Sequence, residues 1–289
     1  MCFFDRHNLK PRCSPWRPRA RKLLHLLALG TVALSAAGFS VSAIVATTDP
    51  DWIGTAPTNI SNSGTRKTLH PAVAAGPSGQ VVVAWNDLPP GEPKSDIYVT
   101  HSDDHGKSWP ATPMRVWDTD AKSQLPDIAI TENETFIAWT EETGQGDGTT
   151  IITVHEADLG GDLRTIQTET GTSSRIPTAP RLVASPNRLH VVFNAGEMFS
   201  HIFYSSRALS ETAWPPAQQI YTSVGSMSWF PALAISQDGP DLTIHVVWEK
   251  LSGEGRSVWY MSGTAGDSDV SWSSPVPLSS ETTSVKPDL

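Results

Sequence analysis

The stretch Ser102-Asp103-Asp104-His105-Gly106-Lys107-Ser108-Trp109 decides the fold of this chain. It follows an alternating run of apolar and polar residues, 96–101, which is typical of a β-strand. Asp104 can accept hydrogen bonds from backbone N–H groups that follow it, and Gly106 takes a positive φ without steric cost. The last two residues begin another strand, whose indole is large enough to pack the turn against its sheet. The stretch therefore predicts a tight turn between two strands.

The strands around this turn belong to a unit that occurs four times. Each copy begins with a proline and a short strand, and continues through a turn into a more apolar strand that ends in an aromatic residue. The anchor prolines are Pro71, Pro126, Pro180 and Pro231, which stand 55, 54 and 51 residues apart. A third strand and an outer fourth strand follow in each copy. Four strands in a unit of about 50 residues predict a β-propeller blade. A β-sandwich, the structural alternative, does not predict the same proline and aromatic residue four times in phase.

Composition favours an all-β protein with an acidic body. The chain of 289 residues has 11 Trp and 23 Pro, and its charged fraction is 18%. Residues 1–22 contain seven of the 21 basic residues but only one of the 30 acidic residues. The rest of the chain is therefore more acidic than the net charge of −9 for the whole chain indicates. An acidic body argues against nucleic acid and against anionic membranes as partners. Cys2 and Cys13 both lie in the basic leader, which excludes disulfides and cysteine chemistry from the body.

The N-terminus has the pattern of an export signal. A basic stretch precedes apolar or small residues over positions 23–46, as in a secretory signal peptide. The length of this segment also allows an uncleaved membrane anchor, so residues 1–46 are expected to be one or the other. In both cases we expect the body to be extracellular or at the cell surface. Residues 47–68 are polar and turn-rich, and are interpreted as a linker or as a strand that closes the last blade.

The spacing Ser-x-Asp-x-Gly-x-Ser-Trp resembles the Asp-box of the BNR repeat in sialidase-like (neuraminidase) β-propellers. The resemblance covers residues 69–289 and implies an all-β propeller with about four blades present. Residues 284–289 repeat the pattern of residues 123–128, which indicates the start of a fifth blade and a chain truncated from six. Turn chemistry alone accounts for the Asp-box residues, so we expect them to stabilise the fold at a distance from any ligand. These residues are Ser102, Asp104, Gly106, Ser108 and Trp109.

The same resemblance implies an exo-acting glycosidase that binds a sialic-acid carboxylate with three arginines. It further implies a Tyr–Glu pair as nucleophile and an Asp as acid/base. The first arginine of that family stands two residues before an anchor proline, where this chain has no basic residue. The residues at this position are Leu69, Gln124, Thr178, Trp229 and Val285. In that family the arginine belongs to an Arg-Ile-Pro element, and Arg175-Ile176-Pro177 has the same three residues. These residues lie out of register with Pro180, and we interpret the match as a coincidence.

Acidic residues follow the second-strand aromatic residue in three of the four units. They are Asp87, Glu141 and Glu249. A propeller can direct loops at one face, where carboxylates hold sugar hydroxyls or act as an acid/base pair. The simpler interpretation is that they are ordinary turn residues. With Arg175, they are the weak catalytic candidates of this sequence.

The body has four tyrosines that could serve as the implied nucleophile. Tyr98, Tyr204 and Tyr260 fall at one third-strand position of their repeats, and Tyr221 lies in an outer strand, so packing explains them better than catalysis. We expect no cofactor, because the sequence has no phosphate-binding loop, and no metal, because no set of ligands reaches the number that a site needs.

The sequence predicts an exported sialidase-like propeller that binds a glycan or an extracellular protein and is not catalytic as it stands. The absence of a basic residue at the family's first arginine position favours this interpretation. The alternative is a fragment of an exo-α-sialidase whose remaining catalytic residues lie beyond residue 289. No nucleic acid is expected as a partner, and a membrane only through the N-terminal segment.

Overall fold

The computed structural model describes residues 57–117, 120–144, 150–158, 163–166, 178–238, 241–253, 255–266 and 269–280. The predicted signal or anchor, the predicted fifth blade and Arg175 lie outside these ranges. Within them, no helix has the length and apolarity needed to cross a membrane. Residues 57–66 form turns and bends, and the first strand begins at Lys67.

The described strands form four antiparallel sheets, each a meander in chain order. The first sheet contains β1 (Lys67–Ala75), β2 (Val81–Leu88), β3 (Asp96–Ser102) and β4 (Met114–Arg115). The second contains β5 (Lys122–Ile130), β6 (Thr135–Gly144), β7 (Thr150–Asp158) and β8 (Leu163–Ile166). The third contains β9 (Arg181–Ala184), β10 (Arg188–Ala195), β11 (His201–Ala208) and β12 (Gln218–Tyr221). The fourth contains β13 (Met227–Asp238), β14 (Asp241–Ser252), β15 (Gly255–Ala265), β16 (Val270–Trp272) and β17 (Val276–Pro277).

These sheets are the four predicted blades, which we number 1 to 4 in chain order. The predicted outer strands are all present, and blade 4 has both β16 and β17 against β15. The first strands of consecutive blades contact one another, β1 with β5, β5 with β9 and β9 with β13. The first strands are therefore the inner strands of the array, as in a propeller. The prediction of an all-β propeller of four-stranded blades is confirmed.

The inner strands of blades 1, 2 and 4 share a bulge at the anchor proline. The residue before this proline has a positive φ, which is 51° at His70, 56° at Leu125 and 47° at Phe230. The pairing register shifts at the same place in all three strands. A proline cannot donate to a β-ladder, so it is tolerated in edge strands and at bulges. This backbone geometry explains why the same proline recurs at the start of the repeat.

The core consists of three apolar layers, one between each pair of consecutive blades. Val82 and Ala84 of blade 1 pack with Ile137 and Trp139 of blade 2 in the first layer. The other two layers join blade 2 to blade 3 and blade 3 to blade 4 in the same way. Successive residues of a strand point to opposite faces, so the second strands of blades 2 and 3 each contribute to two layers. This arrangement requires a second strand that is apolar on both faces, without alternation of apolar and polar residues.

A buried ionic cluster adds to the layer between blades 2 and 3. Glu156 of β7 is 0% exposed and lies 3.4 Å from both Arg164 and Arg207. The indole of Trp214 donates a hydrogen bond to the same carboxylate at 2.9 Å. The Arg207 guanidinium also lies over the rings of Phe136 and Trp214. Blade 2 thus supplies the acid, and blade 3 supplies an arginine and an indole that satisfy it.

We expect Glu156→Gln to lower the free energy of unfolding by about 3 kcal/mol, because removing one member of a buried ion pair leaves the other charge uncompensated. Chemical denaturation monitored by tryptophan fluorescence measures this value. Glu132→Gln is the matched control, since Glu132 is exposed in a turn of the same blade, and it should change stability by less than about 0.5 kcal/mol. Equal stability of the two variants would contradict a role for the cluster in joining the blades.

Candidate functional site

The meander topology gives every blade two distinct ends. One end holds the start of the first strand, the end of the second and the start of the third, and we call it the loop end. The other holds the connection from the first to the second strand and the connection after the third, and we call it the turn end. Asp87, Glu141 and Glu249 are at the loop end, whereas the turn of residues 102–109 is at the turn end. A seven-residue strand such as β3 separates the two ends by about 20 Å.

Asp87 lies in β2 rather than in a loop, and it is 2% exposed. It accepts a hydrogen bond from the Thr68 hydroxyl at 2.7 Å, and its other oxygen lies 3.7 Å from the Arg66 guanidinium. Arg66 in turn donates to the Tyr98 hydroxyl at 3.2 Å and lies over its ring. The carboxylate is therefore engaged on both oxygens within its own blade.

Glu141 occupies the equivalent position of β6 and is 4% exposed. Its Oε2 accepts hydrogen bonds from the Ser123 hydroxyl at 2.7 Å and from the Trp139 indole at 2.9 Å. The imidazole of His155 stacks on the same indole at 5.9 Å. Burial lowers the pKa of His155, and the Glu141 charge partly opposes this effect. The arrangement fixes the Glu141 carboxylate against its own sheet.

Glu249 is not equivalent to the other two acids. Asp87 pairs with Thr68 and Glu141 with Ser123, three residues before the anchor proline, whereas Glu249 pairs with Trp229, two before it. Its positional equivalents are Asn86, Thr140 and Asn194, which follow the aromatic residue directly. Because side chains alternate along a strand, Glu249 lies on the opposite face from the position of Asp87 and Glu141. This difference is not evident from the sequence, because all three acids follow an aromatic residue by one or two positions.

The Glu249 side chain is buried and forms an ion pair at the loop end. Its Oε1 lies 2.6 Å from Nη1 of Arg256, a side chain that is 46% exposed. Its Oε2 is buried and has no hydrogen-bond partner in the part of the chain that the structure describes. All three acids therefore lie within strands and are held by neighbours, in contrast to the loop and turn positions that the sequence suggested.

The tyrosines occupy two kinds of third-strand position rather than one. Tyr98 pairs directly with Trp85. Tyr204 pairs with the residue before the corresponding aromatic, and Tyr260 does the same in blade 4. The hydroxyl of Tyr204 lies 2.7 Å from the imidazole of His190, and burial raises the pKa of Tyr204 to about 12. A raised pKa opposes use of this phenol as a nucleophile.

The remaining tyrosine and the family's arginine positions are also accounted for by packing. Tyr221 packs on the rings of Trp248 and Trp259. Thr178 bonds to Thr140 of the preceding blade through its hydroxyl and its carbonyl. The other positions two residues before an anchor proline hold Leu69, Gln124 and Trp229, and a carboxylate ligand finds no guanidinium there. Among the described residues, no group of three or more His, Cys, Asp or Glu side chains is placed to hold a metal ion.

The sequence did not identify an apolar patch at the loop end of blade 3. Met198 is 73% exposed, Phe199 37% and Val224 85%. They belong to two loops, 196–200 and 222–226. Ser223 N of the second loop donates a hydrogen bond at 3.0 Å to Nδ1 of His201, which directly follows the first loop. Large exposed apolar side chains that cluster mark interaction surfaces. The sequence did contain a signal for this patch, because Met198 and Phe199 interrupt an otherwise polar loop.

The turn of residues 102–109 is closed by its own polar side chains. Asp104 Oδ1 accepts hydrogen bonds from the Ser102 hydroxyl at 2.7 Å and from the backbone N–H groups of Lys107 and Ser108 at 3.0 and 2.9 Å. Its Oδ2 accepts from the Ser108 hydroxyl at 2.6 Å, and the Trp109 indole donates to the Gly106 carbonyl. The side chains of Ser102, Asp104, Ser108 and Trp109 are thus all bonded within the turn, at the end opposite to the three acids.

Comparison with solved structures defines the class of fold. No protein-family model matches the sequence, and no curated protein matches it either. The chain has the sialidase-like β-propeller fold, because it superposes on NanB with Optactamide with a TM-score of 0.52 at 10% identity, over 77% of this chain and 53% of that one. The chain thus spans about half the length of that structure. At this identity the likeness concerns the fold alone.

Two further structures are similar at lower scores. One is the NanB sialidase from Streptococcus pneumoniae, with a TM-score of 0.48 at 11% identity, over 76% of this chain and 52% of that one. The other is an alpha-L-arabinofuranosidase from Lactobacillus brevis, with a TM-score of 0.46 at 14% identity, over 73% of this chain and 74% of that one.

We expect Asp104→Asn to destabilise the fold near neutral pH, because an amide nitrogen cannot accept the hydrogen bond from the Ser108 hydroxyl. The hydroxyls of Ser108 and Ser102 and the Ser108 N–H hold the pKa of Asp104 well below its usual range. A lowered pKa in the folded state contributes stability above the pKa of the unfolded chain, about 3.9, and this contribution is lost as pH falls.

The difference in melting temperature between wild type and Asp104→Asn should therefore be largest near pH 7 and shrink below about pH 4. Asp103→Asn is the matched control, since the Asp103 side chain is 76% exposed, and it should melt like wild type throughout. A difference that grows in acid would contradict the assignment.

Proposed function

We propose that this protein is an exported, sialidase-like propeller that binds glycans through the loops at its loop end and does not hydrolyse them as it stands. One observation carries the proposal. The candidate acids Asp87, Glu141 and Glu249 are all buried and held by groups of their own blades. A hydrolytic pair needs two carboxyl groups that face the glycosidic bond.

Among the described residues, Met198, Phe199 and Val224 are exposed apolar side chains at the loop end, and this apolar patch is the recognition surface in the proposal. Binding sites for small molecules are mostly apolar surfaces with a few polar groups placed around them. The guanidinium groups of Arg66 and Arg256 lie at the same end of their blades and are 40% and 46% exposed. Their planar donors suit hydroxyl and carboxylate oxygens of a sugar. The similarity in fold to a sialidase structure supports a glycan as the ligand by analogy.

Export is part of the proposal and rests on the sequence. Residues 1–22 are basic and the following segment is apolar or small up to Ala46, which is the order of a secretory signal or of an N-terminal anchor. The absence of cysteine from the rest of the chain makes the body independent of the redox conditions outside the cell. Glycans on cell surfaces and in secretions are the ligands that an exported propeller meets.

The first test is catalytic. The full chain is incubated with a fluorogenic α-sialoside and with a fluorogenic α-L-arabinofuranoside, and release of the fluorophore is measured. We expect no release above the blank. Turnover that is abolished by Asp87→Asn or Glu141→Gln would overturn the non-catalytic assignment, and loss of turnover on Arg175→Ala would assign Arg175 to a sialidase site.

The second test is binding to immobilised sialylated and arabinose-containing glycans. Phe199→Ser should weaken binding about tenfold or more, which corresponds to a loss of about 1.4 kcal/mol. Met114→Ser is the matched control, because Met114 is 48% exposed on β4, the outer strand of blade 1, and it should bind like wild type. Equal binding by both variants, or no binding of any glycan by the wild type, would contradict the proposed ligand site.

A further inference from the structure

A small cleft lies between blades 3 and 4 at the turn end. Its volume is about 220 Å³, which is smaller than the range of about 300–1,000 Å³ that is usual for drug-sized ligands. Blade 3 lines it with residues that include Arg188, His190 and Tyr204, and blade 4 lines it with the turn between β15 and β16, which includes Asp269. The cleft therefore suits one small molecule.

The interface between blades 3 and 4 lacks a side chain that fills the interface before it. Between blades 2 and 3, the guanidinium of Arg207 lies over the ring of Phe136. Phe136 stands three residues before its second-strand aromatic, a position that His190 occupies in blade 3. Arg207 pairs with the residue four before the aromatic of its blade, and its equivalent in blade 4 is Gly263. A guanidinium is thus replaced by a glycine, and a phenyl ring by an imidazole.

Arg188 gives the cleft a positive charge that no acid of the described structure neutralises. Its Nη2 donates hydrogen bonds to the carbonyl and hydroxyl oxygens of Ser206, both at 3.2 Å. In the part of the chain that the structure describes, Nε and Nη1 have no hydrogen-bond acceptor, and the guanidinium forms no ion pair. Arg188 is half-buried, and it is the only arginine or lysine that lines the cleft. A guanidinium placed in this way can hold a carboxylate with two N–H donors.

The buried His190 imidazole sets the direction of the hydrogen bonds beside Arg188. Burial and the Arg188 charge lower the pKa of His190 to about 4, so near pH 7 the ring is neutral and has one donor and one acceptor. The Ser185 hydroxyl donates to the Arg188 carbonyl at 3.2 Å, and it therefore accepts from Nε2 of His190 at 3.0 Å. Nδ1 is then the acceptor for the Tyr204 hydroxyl at 2.7 Å. The Tyr204 oxygen can in turn accept a hydrogen bond from a ligand hydroxyl.

The rest of the cleft offers both apolar and hydrogen-bonding groups. Residues 215–216, both proline, and Val270 line it, and such apolar surface suits the C–H groups of a sugar ring. Gln218 and Asp269 also line the cleft and are exposed. Their side-chain oxygens accept hydrogen bonds from hydroxyl groups. Asp269 forms no ion pair with Arg188 across the described cleft, so both charges are available to a ligand.

We propose that this cleft binds a monosaccharide that carries a carboxylate, a uronic acid, with the carboxylate on Arg188 and ring hydroxyls on Tyr204 and Asp269. An inorganic anion would occupy the guanidinium but leave the apolar surface and the hydroxyl partners unused. A neutral sugar would leave the guanidinium without an anion. This site is at the turn end, whereas the surface in the proposed function is at the loop end, so the two proposals do not depend on each other.

The first measurement is isothermal titration calorimetry of the full chain with methyl β-D-glucuronide, whose ring is closed. The wild type should show saturable binding. Methyl β-D-glucoside has a hydroxymethyl group in place of the carboxylate and should bind about tenfold or more weakly, because it cannot form the charge-assisted pair. Sodium acetate and sodium sulfate should each bind about tenfold or more weakly as well, because neither fills the cleft beyond the guanidinium.

The second measurement locates the ligand by substitution. Arg188→Gln should weaken glucuronide binding about tenfold or more, because it removes the charge and the paired donors. Lys107→Gln is the matched control, since Lys107 is exposed at the turn end of blade 1, and it should bind like wild type. Melting curves establish that the variants are folded. If Arg188→Gln is not, Arg188→Lys keeps the charge without the planar fork and should still bind more weakly than wild type.

A third comparison separates this proposal from the proposed function. Phe199→Ser should bind the glucuronide like wild type, whereas Arg188→Gln should bind immobilised sialylated and arabinose-containing glycans like wild type. Loss of glucuronide binding in Phe199→Ser, with normal binding by Arg188→Gln, would place the sugar at the loop end and overturn the assignment of the cleft.

The proposal is also overturned if the wild type binds no glucuronide. Equal affinity for glucuronide, acetate and sulfate would make the cleft a general anion site and would contradict a sugar ligand. Equal affinity for glucuronide and glucoside would contradict the contact between the carboxylate and Arg188.

Discussion

The structure depends on one constraint, which is that each sheet has two apolar faces and each face must be covered by a neighbouring blade. The second strands of blades 2 and 3 contribute alternate residues to two layers, and this explains their continuous apolar character. Val82 and Ala84 pack toward blade 2, whereas Val83 lies on the other face of the same strand. The inner-strand bulges and the buried cluster around Glu156 then hold the blades in register. Such a repeat is stabilised mainly by contacts between nearest neighbours.

The same constraint separates structure from recognition. Buried polar side chains of the strands are held by other polar groups, as Glu156 is held by Arg207 and Trp214. At the turn end the side chains of residues 102–109 satisfy one another. At the loop end Asp87 and Glu141 are held within their own blades, whereas Met198, Phe199 and Val224 are exposed there. A propeller can therefore lose or lack catalytic chemistry without a change in its core.

The sequence was sufficient for the architecture because the relevant signals are periodic. Four anchor prolines, four second-strand aromatic residues and their spacing predicted all four blades and the position of the outer strands. Prediction from the sequence failed where a shift of one residue in the strand register decides which face of the sheet a side chain occupies. Glu249 stands one residue after its aromatic and Asp87 two after, and the distinction between opposite faces became visible only in the pairing of strands. For the same reason, the sequence analysis assigned Tyr98 to the same third-strand position as Tyr204 and Tyr260. The apolar patch at Phe199 and Val224 was missed because its residues come from two loops that are distant in sequence.

The most direct measurement of the central claim is a crystal structure of the full chain soaked with an intact sialylated oligosaccharide. We expect an unbroken glycan at the loop end, in contact with Phe199 and Val224, with its glycosidic oxygen out of hydrogen-bond reach of Asp87, Glu141 and Glu249. A glycan whose glycosidic oxygen lies within hydrogen-bond distance of one of these carboxyl groups, or a cleaved product in that position, would contradict the account.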